Sequence, residues 1–340
     1  MKKINLIPPC LAALLLCACG REPQQNAGEI KIGLSIPTRR EERWVRDLEQ
    51  LRKEARTLGV ELLVQVSEND SALQLAQCED LLAQSIAVLI VAPHDAAAAS
   101  AIAEKAALRG VKLISYDRLI LNADVDLYVS FDNYKVGEIQ ARYLAGLVPR
   151  GKYVLLAGAT TDNNATLYRQ GALSVLQPLA ARGDIKIVMD QAVTDWRPSE
   201  AKKLVEGALA ANAGDIQAVL APNDGTAGGA IQALAVYKLA GRVPVTGQDS
   251  EAAAARRIVE GTQAMTVFKD TRQLAAAAFG AAMNLASGGK APVNARVQNG
   301  KMEVPSLLLG AVAVDRNNIG RVLVESGYLK REEVFGPDGR

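Results

Sequence analysis

Residues 111–118 read Val-Lys-Leu-Ile-Ser-Tyr-Asp-Arg, a short apolar run that stops abruptly at two adjacent and opposite charges, Asp117 and Arg118. The run has the length and composition of a β-strand. In an open α/β sheet, ligands bind just beyond the carboxyl ends of the strands. The stretch therefore predicts a strand whose end grips a small polar molecule.

The same unit, an apolar strand followed by a helical pattern, repeats along the chain, and its predicted strands include residues 31–36, 61–66 and 243–246. Residues 86–92 form a nearly continuous apolar run, which is typical of a strand buried on both faces. The alternation predicts an α/β fold with parallel, doubly wound sheets. A break in the rhythm at residues 119–132 separates two such series, and at 340 residues the chain is long enough for two domains of about 150 residues.

Two Rossmann-like lobes are therefore expected, and the segments after Lys269 are too few for a third domain. They are expected to return to both lobes, so that several strands cross between them. The predicted division assigns residues 30–133 and about 269–298 to an N-terminal lobe. Residues 134–268 and about 299–330 are assigned to a C-terminal lobe.

The first residues have the pattern of an export signal. Lys2 and Lys3 precede an apolar segment that is too short to span a bilayer. Residues 16–20, Leu-Cys-Ala-Cys-Gly, resemble a lipoprotein signal-peptidase site, with cleavage before Cys19 and lipidation of its thiol. The alternative is an ordinary signal peptide cut after Ala18, which would leave that thiol free.

This interpretation predicts a signal peptide at residues 1–18, a tether at 19–29 and an exported, periplasmic protein held on a membrane through Cys19. The polar part of the tether could reach roughly 30 Å if extended. Cys78 would then lack a partner for a disulfide, and its helical surroundings predict a small buried hydrophobe.

Several classes of function are disfavoured by the residues present. A net charge of +2 without a long basic run argues against nucleic acid as a partner. His94 is the only histidine, so a Ser-His-Asp triad or a histidine-rich metal site would depend on it alone. Its position after Pro93 suggests instead a loop histidine hydrogen-bonded to a neighbour. We predict neither a metal nor a catalytic residue.

A nucleotide-dependent enzyme or a repressor is also disfavoured. Residues 225–229, Gly-Thr-Ala-Gly-Gly, have the wrong spacing for a dinucleotide fingerprint, and no phosphate-binding loop motif is present. A sugar-responsive repressor would begin with a helix-turn-helix, where this chain begins with an export signal. We expect no cofactor and no enzymatic activity.

Polar residues recur where strands end and helices begin. Arg43 stands in the first turn of a predicted helix, where a cation opposes the helix dipole. It either faces a hydrogen-bond acceptor or forms a surface salt bridge. Trp44, next to it, is either a core residue or a flat stacking surface.

Helix capping alone could explain the acidic and amide side chains at these junctions, because Asn and Asp are favoured N-caps. They are Asp162, Asn164, Asn223 and Asp249. Capping does not explain Arg118 or Lys269, which occupy the same kind of junction. Trp196 opens a helix from a loop, where a core role is less expected.

Together these residues suit a small uncharged polyol. A sugar hydroxyl is both donor and acceptor, so buried hydroxyls need mixed partners. Forked Arg, Asp and Asn groups give strong, directional bonds, and a site of this kind rejects analogues that lack a hydroxyl. Tryptophan faces would cover the apolar side of the ring.

The chain resembles the type I periplasmic sugar-binding proteins of ABC importers, and among them the xylose-binding type. The match runs from about residue 31 to 329 in order and spacing. The stretches that carry it are Glu42-Arg43-Trp44, Tyr116-Asp117-Arg118, Phe131-Asp132-Asn133, Asp162-Asn163-Asn164-Ala165, Asn223-Asp224 and Gly247-Gln248-Asp249.

The resemblance implies two lobes joined by a three-strand hinge, closing around one monosaccharide, D-xylose or a related aldose. It implies a monomer that delivers the sugar to the permease and ATPase of an ABC importer. Carried over by position, the sugar contacts would be Arg43, Asp117, Arg118, Asp162, Asn164, Trp196, Asn223, Asp249 and Lys269, with Trp44 stacking on the ring.

Two alternatives stay open. The first is a broader-specificity aldose-binding protein, because Pro37-Thr38, after the first strand, also occurs in related multi-sugar binders. Asn223-Asp224 favours the xylose type instead. The second is a sensory protein that presents its ligand-bound state to a membrane receptor or kinase. It would use the same closure of two lobes around the sugar. Neighbouring genes would separate transport from sensing.

Overall fold

A computed structural model of the chain describes residues 30–337. The predicted signal peptide at 1–18, the lipidation site Cys19 and the tether at 19–29 lie outside the described residues. None of the helices between residues 30 and 337 combines the length and apolar character needed to cross a membrane.

The first lobe is built on a seven-stranded sheet whose strands are parallel except for one antiparallel edge pair, Ala295–Gln298 and Glu303–Leu309. Strands and helices are numbered in chain order. The spatial order of the strands is β10 (Ala295–Gln298), β11 (Glu303–Leu309), β5 (Leu127–Phe131), β4 (Lys112–Tyr116), β3 (Val88–Val91), β1 (Lys31–Ile36) and β2 (Glu61–Val66).

Helices cover both faces of this sheet with two separate apolar cores. The core on one face contains α1 (Glu42–Leu58) and α9 (Thr271–Ala286). The core on the other face contains α2 (Ser71–Leu82) and α3 (Ser100–Leu108). Cys78, on α2, is fully buried, and burial raises the pKa of its thiol to about 12, so the predicted role as a buried hydrophobe is confirmed.

The second lobe has a smaller parallel sheet, in the order β7 (Ile185–Ala192), β6 (Gly151–Ala157) and β8 (Ala218–Leu220). An antiparallel pair, β9 (Thr266–Phe268) and β12 (Val312–Val314), lies beside it. Its helices are α4 (Asn133–Leu147), α5 (Asn163–Ala181), α6 (Pro198–Ala211), α7 (Asp224–Val236), α8 (Ala252–Glu260) and α10 (Arg331–Phe335). A short 3-10 turn covers Thr194–Trp196, and a π-helical turn covers Gly320–Glu325.

The chain passes between the two lobes three times: from β5 to α4, from β9 to α9 and from β11 to β12. Two sheets of mainly parallel strands with helices on both faces confirm the predicted α/β class. Because β4 and β6 both point their carboxyl ends toward the junction of the lobes, the loops that follow them face each other across it.

Two sequence expectations need correction. The return to the second lobe was expected near residue 299, but β11 pairs in parallel with β5, which keeps Glu303–Leu309 in the first sheet. A strand was expected at residues 243–246, but only a single bridge forms there, between Val219 and Val245. Pro244 has no N–H to continue a ladder, which accounts for the missing strand.

Candidate ligand-binding site

All ten side chains predicted to contact a ligand line one cavity between the lobes. Three further residues, which no sequence pattern singled out, complete the lining. The lining residues are Glu41, Arg43, Trp44, Asp117, Arg118, Asp162, Asn164, Tyr168, Trp196, Asn223, Gln248, Asp249 and Lys269.

Arg43 is buried and clamped between two carboxylates, so it does not form a surface salt bridge. Its Nη1 donates to Asp117 Oδ1 at 2.7 Å. Its Nε and Nη2 both donate to Asp47 Oδ2, at 2.9 and 2.6 Å. The hydroxyl of Tyr116 donates to the other oxygen of Asp47 at 2.5 Å. These bonds offset the unfavourable helix dipole and fix the guanidinium at the cavity wall.

Asp117 is kept ionised by its neighbours. Burial alone would raise the pKa of this carboxyl, but the positive charges of Arg43, Lys269 and Arg118 outweigh burial and hold the pKa below its usual value. An ionised carboxylate accepts hydrogen bonds from up to four directions. Asp117 can therefore accept from a ligand hydroxyl while it remains bonded to Arg43.

The backbone at Asp117 is held in the left-handed region, with φ of +59°. Its carbonyl oxygen accepts hydrogen bonds from the hydroxyls of Tyr128 and Ser130 and from Asn164 Nδ2, at 2.9, 2.6 and 3.0 Å. Two more lining residues, Asp249 and Trp196, have φ of +92° and +58°. Non-glycine residues in this region cost of order 1–3 kcal/mol each and cluster at functional sites.

The two charges that end β4 do not pair with each other. Arg118 reaches across to the second lobe, where its Nε lies 2.8 Å from Asp162 Oδ2. Its Nη1 donates to the carbonyl oxygen of Pro93 at 3.2 Å. Asp162 also caps α5 by accepting from the Asn164 backbone N–H at 2.9 Å. The sequence left helix capping and ligand contact as alternatives for Asp162. In the structure Asp162 both caps α5 and lines the cavity.

Lys269 supplies the third cation of the lining. Its Nζ lies 2.9 Å from Asp249 Oδ1 and donates to the hydroxyl of Tyr168 at 3.2 Å. Burial would lower the pKa of this ammonium, but the charge of Asp249 outweighs burial and raises it above its usual value. Lys269 is therefore a charged group sealed inside the junction of the lobes.

Both tryptophans of the chain line the cavity. Trp44 is part of the first apolar core. The guanidinium groups of Arg43 and Arg118 lie over its ring, 4.5 and 5.2 Å from the ring centre. Core and site roles therefore coincide at this residue. Trp196 packs directly over Gly158, where an added Cβ would lie 2.1 Å from the ring. Only glycine leaves room for the indole at that point.

Asn223 behaves as the cap that its position predicts. Its side-chain oxygen accepts from the Thr226 backbone N–H at 2.9 Å, in a capping box that begins α7, while the residue lines the cavity. His94 is not among the lining residues, and its backbone N–H donates to Gln74 Oε1 at 2.9 Å. Within residues 30–337, no group of three or more His, Cys, Asp or Glu side chains could hold a metal ion.

Buried polar atoms in the cavity wall lack partners among the described residues. They are Glu41 Oε2 and Gln248 Oε1, which are acceptors, and Trp196 Nε1, which is a donor. Such atoms are costly unless something bonds to them. The lining also holds three cations and four carboxylates, so it has no excess of positive charge to attract an anion. The wall suits a neutral ligand with several hydroxyls.

The missed residues had weak signals in the sequence. Tyr168 follows Asn164 by four residues on α5, so both side chains are on one face of that helix. Gln248 precedes Asp249, and Glu41 precedes α1 in a position that also suits the helix dipole. Residues with a purely structural role are also common in each of these patterns. Only the folded structure shows that these three residues line the cavity.

The family of proteins described as "periplasmic binding protein domain" matches residues 32–290 of the chain. The chain belongs to this family of periplasmic binding proteins. A D-xylose-binding periplasmic protein from Haemophilus influenzae is 43% identical over 310 residues, which cover 91% of this chain and 93% of that one. A protein of the same description from Escherichia coli is 40% identical over 334 residues, covering 98% and 100%.

A solved structure gives the same result for the fold. A carbohydrate transporter solute binding protein from Chloroflexus aurantiacus, in complex with D-glucose, matches with a TM-score of 0.86 and 37% identity, covering 90% of this chain and 98% of that chain. The predicted type I periplasmic binding fold is therefore confirmed. As a member of this family, the chain is an exported binding protein of the periplasm and not an enzyme.

A cluster of acidic groups lies behind the cavity of this periplasmic binding protein. Asp224 is fully buried and accepts from Gln263 Nε2 at 2.7 Å and from the Glu251 backbone N–H at 3.1 Å. Burial raises the pKa of Asp224 to about 7. Burial and the charges of Asp224, Asp249 and Glu42 raise the pKa of Glu251 to about 9, although Arg257 opposes the shift.

Glu251→Gln is expected to stabilise the protein at pH 8 by at least about 1 kcal/mol and to leave its stability at pH 4 unchanged. Because the pKa of Glu251 is raised in the folded state, its contribution to stability is full below its unfolded value of about 4.3 and is lost as pH rises toward 9. Urea unfolding at the two pH values measures the difference. Glu260→Gln, at the exposed last residue of α8, the helix that Glu251 precedes, is the control. Equal behaviour of the two variants would contradict the prediction.

Proposed function

We propose that this chain binds D-xylose, or a closely related aldose, in the cavity between its lobes and delivers it to an ABC importer. The observation that carries the proposal is the cavity wall, which contains both buried donors and buried acceptors, some of them without partners among the described residues. A sugar hydroxyl satisfies a donor and an acceptor at once.

The charge of the wall supports a neutral sugar over a phosphorylated or acidic one. Each of the three lining cations already faces a carboxylate: Arg43 faces Asp117, Arg118 faces Asp162, and Lys269 faces Asp249. An anion would have to compete with these buried pairs. A hydroxyl can instead bond to both members of a pair without breaking it.

The preference for a pentose is supported by the two relatives whose names specify D-xylose, at 43% and 40% identity. The structural relative in complex with D-glucose, at 37% identity, supports the alternative of a broader aldose site. The two hypotheses differ in whether the cavity accepts the additional hydroxymethyl group of a hexose.

Intrinsic fluorescence tests the proposal, because both tryptophans line the cavity and no other tryptophan contributes to the signal. The panel consists of D-xylose, D-ribose, L-arabinose, D-glucose and D-galactose. We expect saturable changes with D-xylose at the lowest concentration. Equal responses to D-xylose and D-glucose would favour the broader aldose site, and unchanged fluorescence with every sugar would oppose a sugar function.

The mechanism we propose is hinge closure stabilised by ligand contacts from both lobes. Arg43, Asp117 and Arg118 belong to the first lobe, whereas Asp162 and Asp249 belong to the second. A sugar bonded to both groups binds the closed form better than the open one. Ligand binding therefore shifts the population toward closure by that difference in affinity.

We further propose that the mature chain is a monomer anchored to a membrane by lipid on Cys19. The support is the motif Leu-Cys-Ala-Cys-Gly at residues 16–20 and the polar segment that follows it. Cys19→Ala is expected to move the protein from the membrane fraction to the soluble periplasmic fraction. A variant that stays in the membrane pellet would rule out the anchor, and light scattering of the released protein tests for a monomer.

A further inference from the structure

The first turn of α1 makes a second set of contacts with the opposite lobe, away from the cavity wall. Glu42 is not among the lining residues. Its Oε2 accepts a hydrogen bond of 3.0 Å from the backbone N–H of Ala252, the first residue of α8 in the second lobe. The residue that precedes α8, Glu251, makes no side-chain capping bond to its own helix. The first lobe thus supplies a cap to a helix of the second.

Arg46 orients Glu42 and extends the contact. Its Nε donates to Glu42 Oε1 at 2.8 Å, and its Nη1 donates to the carbonyl oxygen of Tyr328 at 3.2 Å. The guanidinium also lies 5.2 Å from the centre of the Tyr328 ring. Tyr328 packs with Ile258 of α8 in one apolar cluster of the second lobe. Glu42 and Arg46 therefore contact two parts of the second lobe, the start of α8 and Tyr328, that pack in the same cluster.

We propose that Glu42 and Arg46 form an interlobe latch, which sets the balance between closed and open forms and thereby the affinity for ligand without touching it. The proposal rests on the proposed function, because it assumes closure around a sugar. When the lobes separate, Ala252 loses its cap and Arg46 loses Tyr328. Weakening the latch lowers the fraction of closed protein, and apparent affinity falls by the same factor for any ligand.

The latch also lies close to the binding loop. Arg43, the residue after Glu42, has its Nη1 3.9 Å from Asp249 Oδ1. Asp249 stands three residues before Ala252, in a segment whose Asp249 and Ser250 both have positive φ. The same two segments thus meet once at the ligand and once at the latch. A latch acts on all ligands alike, whereas a residue in contact with the sugar changes the preference among them.

The test measures dissociation constants of Glu42→Ala and Arg46→Ala for D-xylose and for the next-best sugar of the panel, together with small-angle X-ray scattering without ligand. We expect each variant to bind both sugars about tenfold more weakly, which corresponds to the loss of one charge-assisted hydrogen bond. The ratio of the two affinities should stay unchanged, and the scattering radius should increase. Glu49→Ala, at an exposed position on the same helix, is the matched control and should equal the wild type.

Unchanged affinity in both variants, or a change in the ratio between the two sugars, would overturn the latch. Circular dichroism at the titration temperature ensures that each variant compared is folded. Failure of the latch is distinguishable from failure of the proposed function, because in the latter case the wild-type chain itself binds neither sugar.

Discussion

Arg118→Ala is expected to weaken sugar binding by at least about 2 kcal/mol, a factor of about thirty. The guanidinium is buried and joins the lobes through its contact with Asp162 and its bond to the Pro93 carbonyl oxygen. Its removal leaves a buried carboxylate of the second lobe without a cation. Isothermal titration calorimetry of the variant with D-xylose measures the loss.

Arg142→Ala is the matched control for this prediction. Arg142 also faces a carboxylate, that of Glu138, but its side chain is 65% exposed, and pairs of this kind contribute little. We expect its affinity to equal that of the wild type. Arg118→Lys should also bind weakly, because a lysine cannot reproduce the forked contacts to Asp162 and Pro93. An Arg118→Ala variant with wild-type affinity would remove Arg118 from the site.

Gly158→Ala is expected to reduce affinity by an amount on the order of tenfold or more, although it adds a single methyl group. That Cβ would lie 2.1 Å from the indole of Trp196, which must then leave its place in the cavity wall. The displaced indole would no longer offer Nε1 to the ligand. Fluorescence and calorimetric titration report the movement of the ring and the loss of affinity together.

Gly146→Ala, on α4, is the control for this second prediction, because an added Cβ there has no atom within 4 Å. It should leave affinity unchanged and should favour the helix slightly. If Gly158→Ala bound sugar as tightly as Gly146→Ala, the position of Trp196 would have no importance for binding.

The fold could be predicted from the sequence where strand and helix patterns are strong. Strands β1 and β2 occupy the predicted residues, since each is a six-residue run bounded by clear breaks. Residues 243–246 have an equally apolar pattern, but Pro244 limits them to one bridge. The place where the chain returns to the second lobe depends on which strand pairs with β5, and nothing local in the sequence specifies that partner.

The site could be predicted as a set of residues but not as a set of pairs. Ten residues near strand ends were predicted to lie at one edge of the lobes, and all ten line the cavity. Asp117 and Arg118 are adjacent in sequence, yet Asp117 bonds to Arg43 and Arg118 contacts Asp162. The Arg43–Asp117 pair depends on how α1 packs against the first sheet, and the Arg118–Asp162 pair depends on how the two lobes meet. No local pattern encodes either of them. For the same reason, the contact of Glu42 with Ala252 could not be anticipated.

Isothermal titration calorimetry of the wild-type protein with D-xylose tests the central claim most directly. We predict one site per chain, with a dissociation constant on the order of 1 μM or below, equivalent to about −8 kcal/mol or a more favourable value. A titration panel of other pentoses and hexoses should give weaker binding. The absence of binding for every monosaccharide at millimolar concentration would contradict the account.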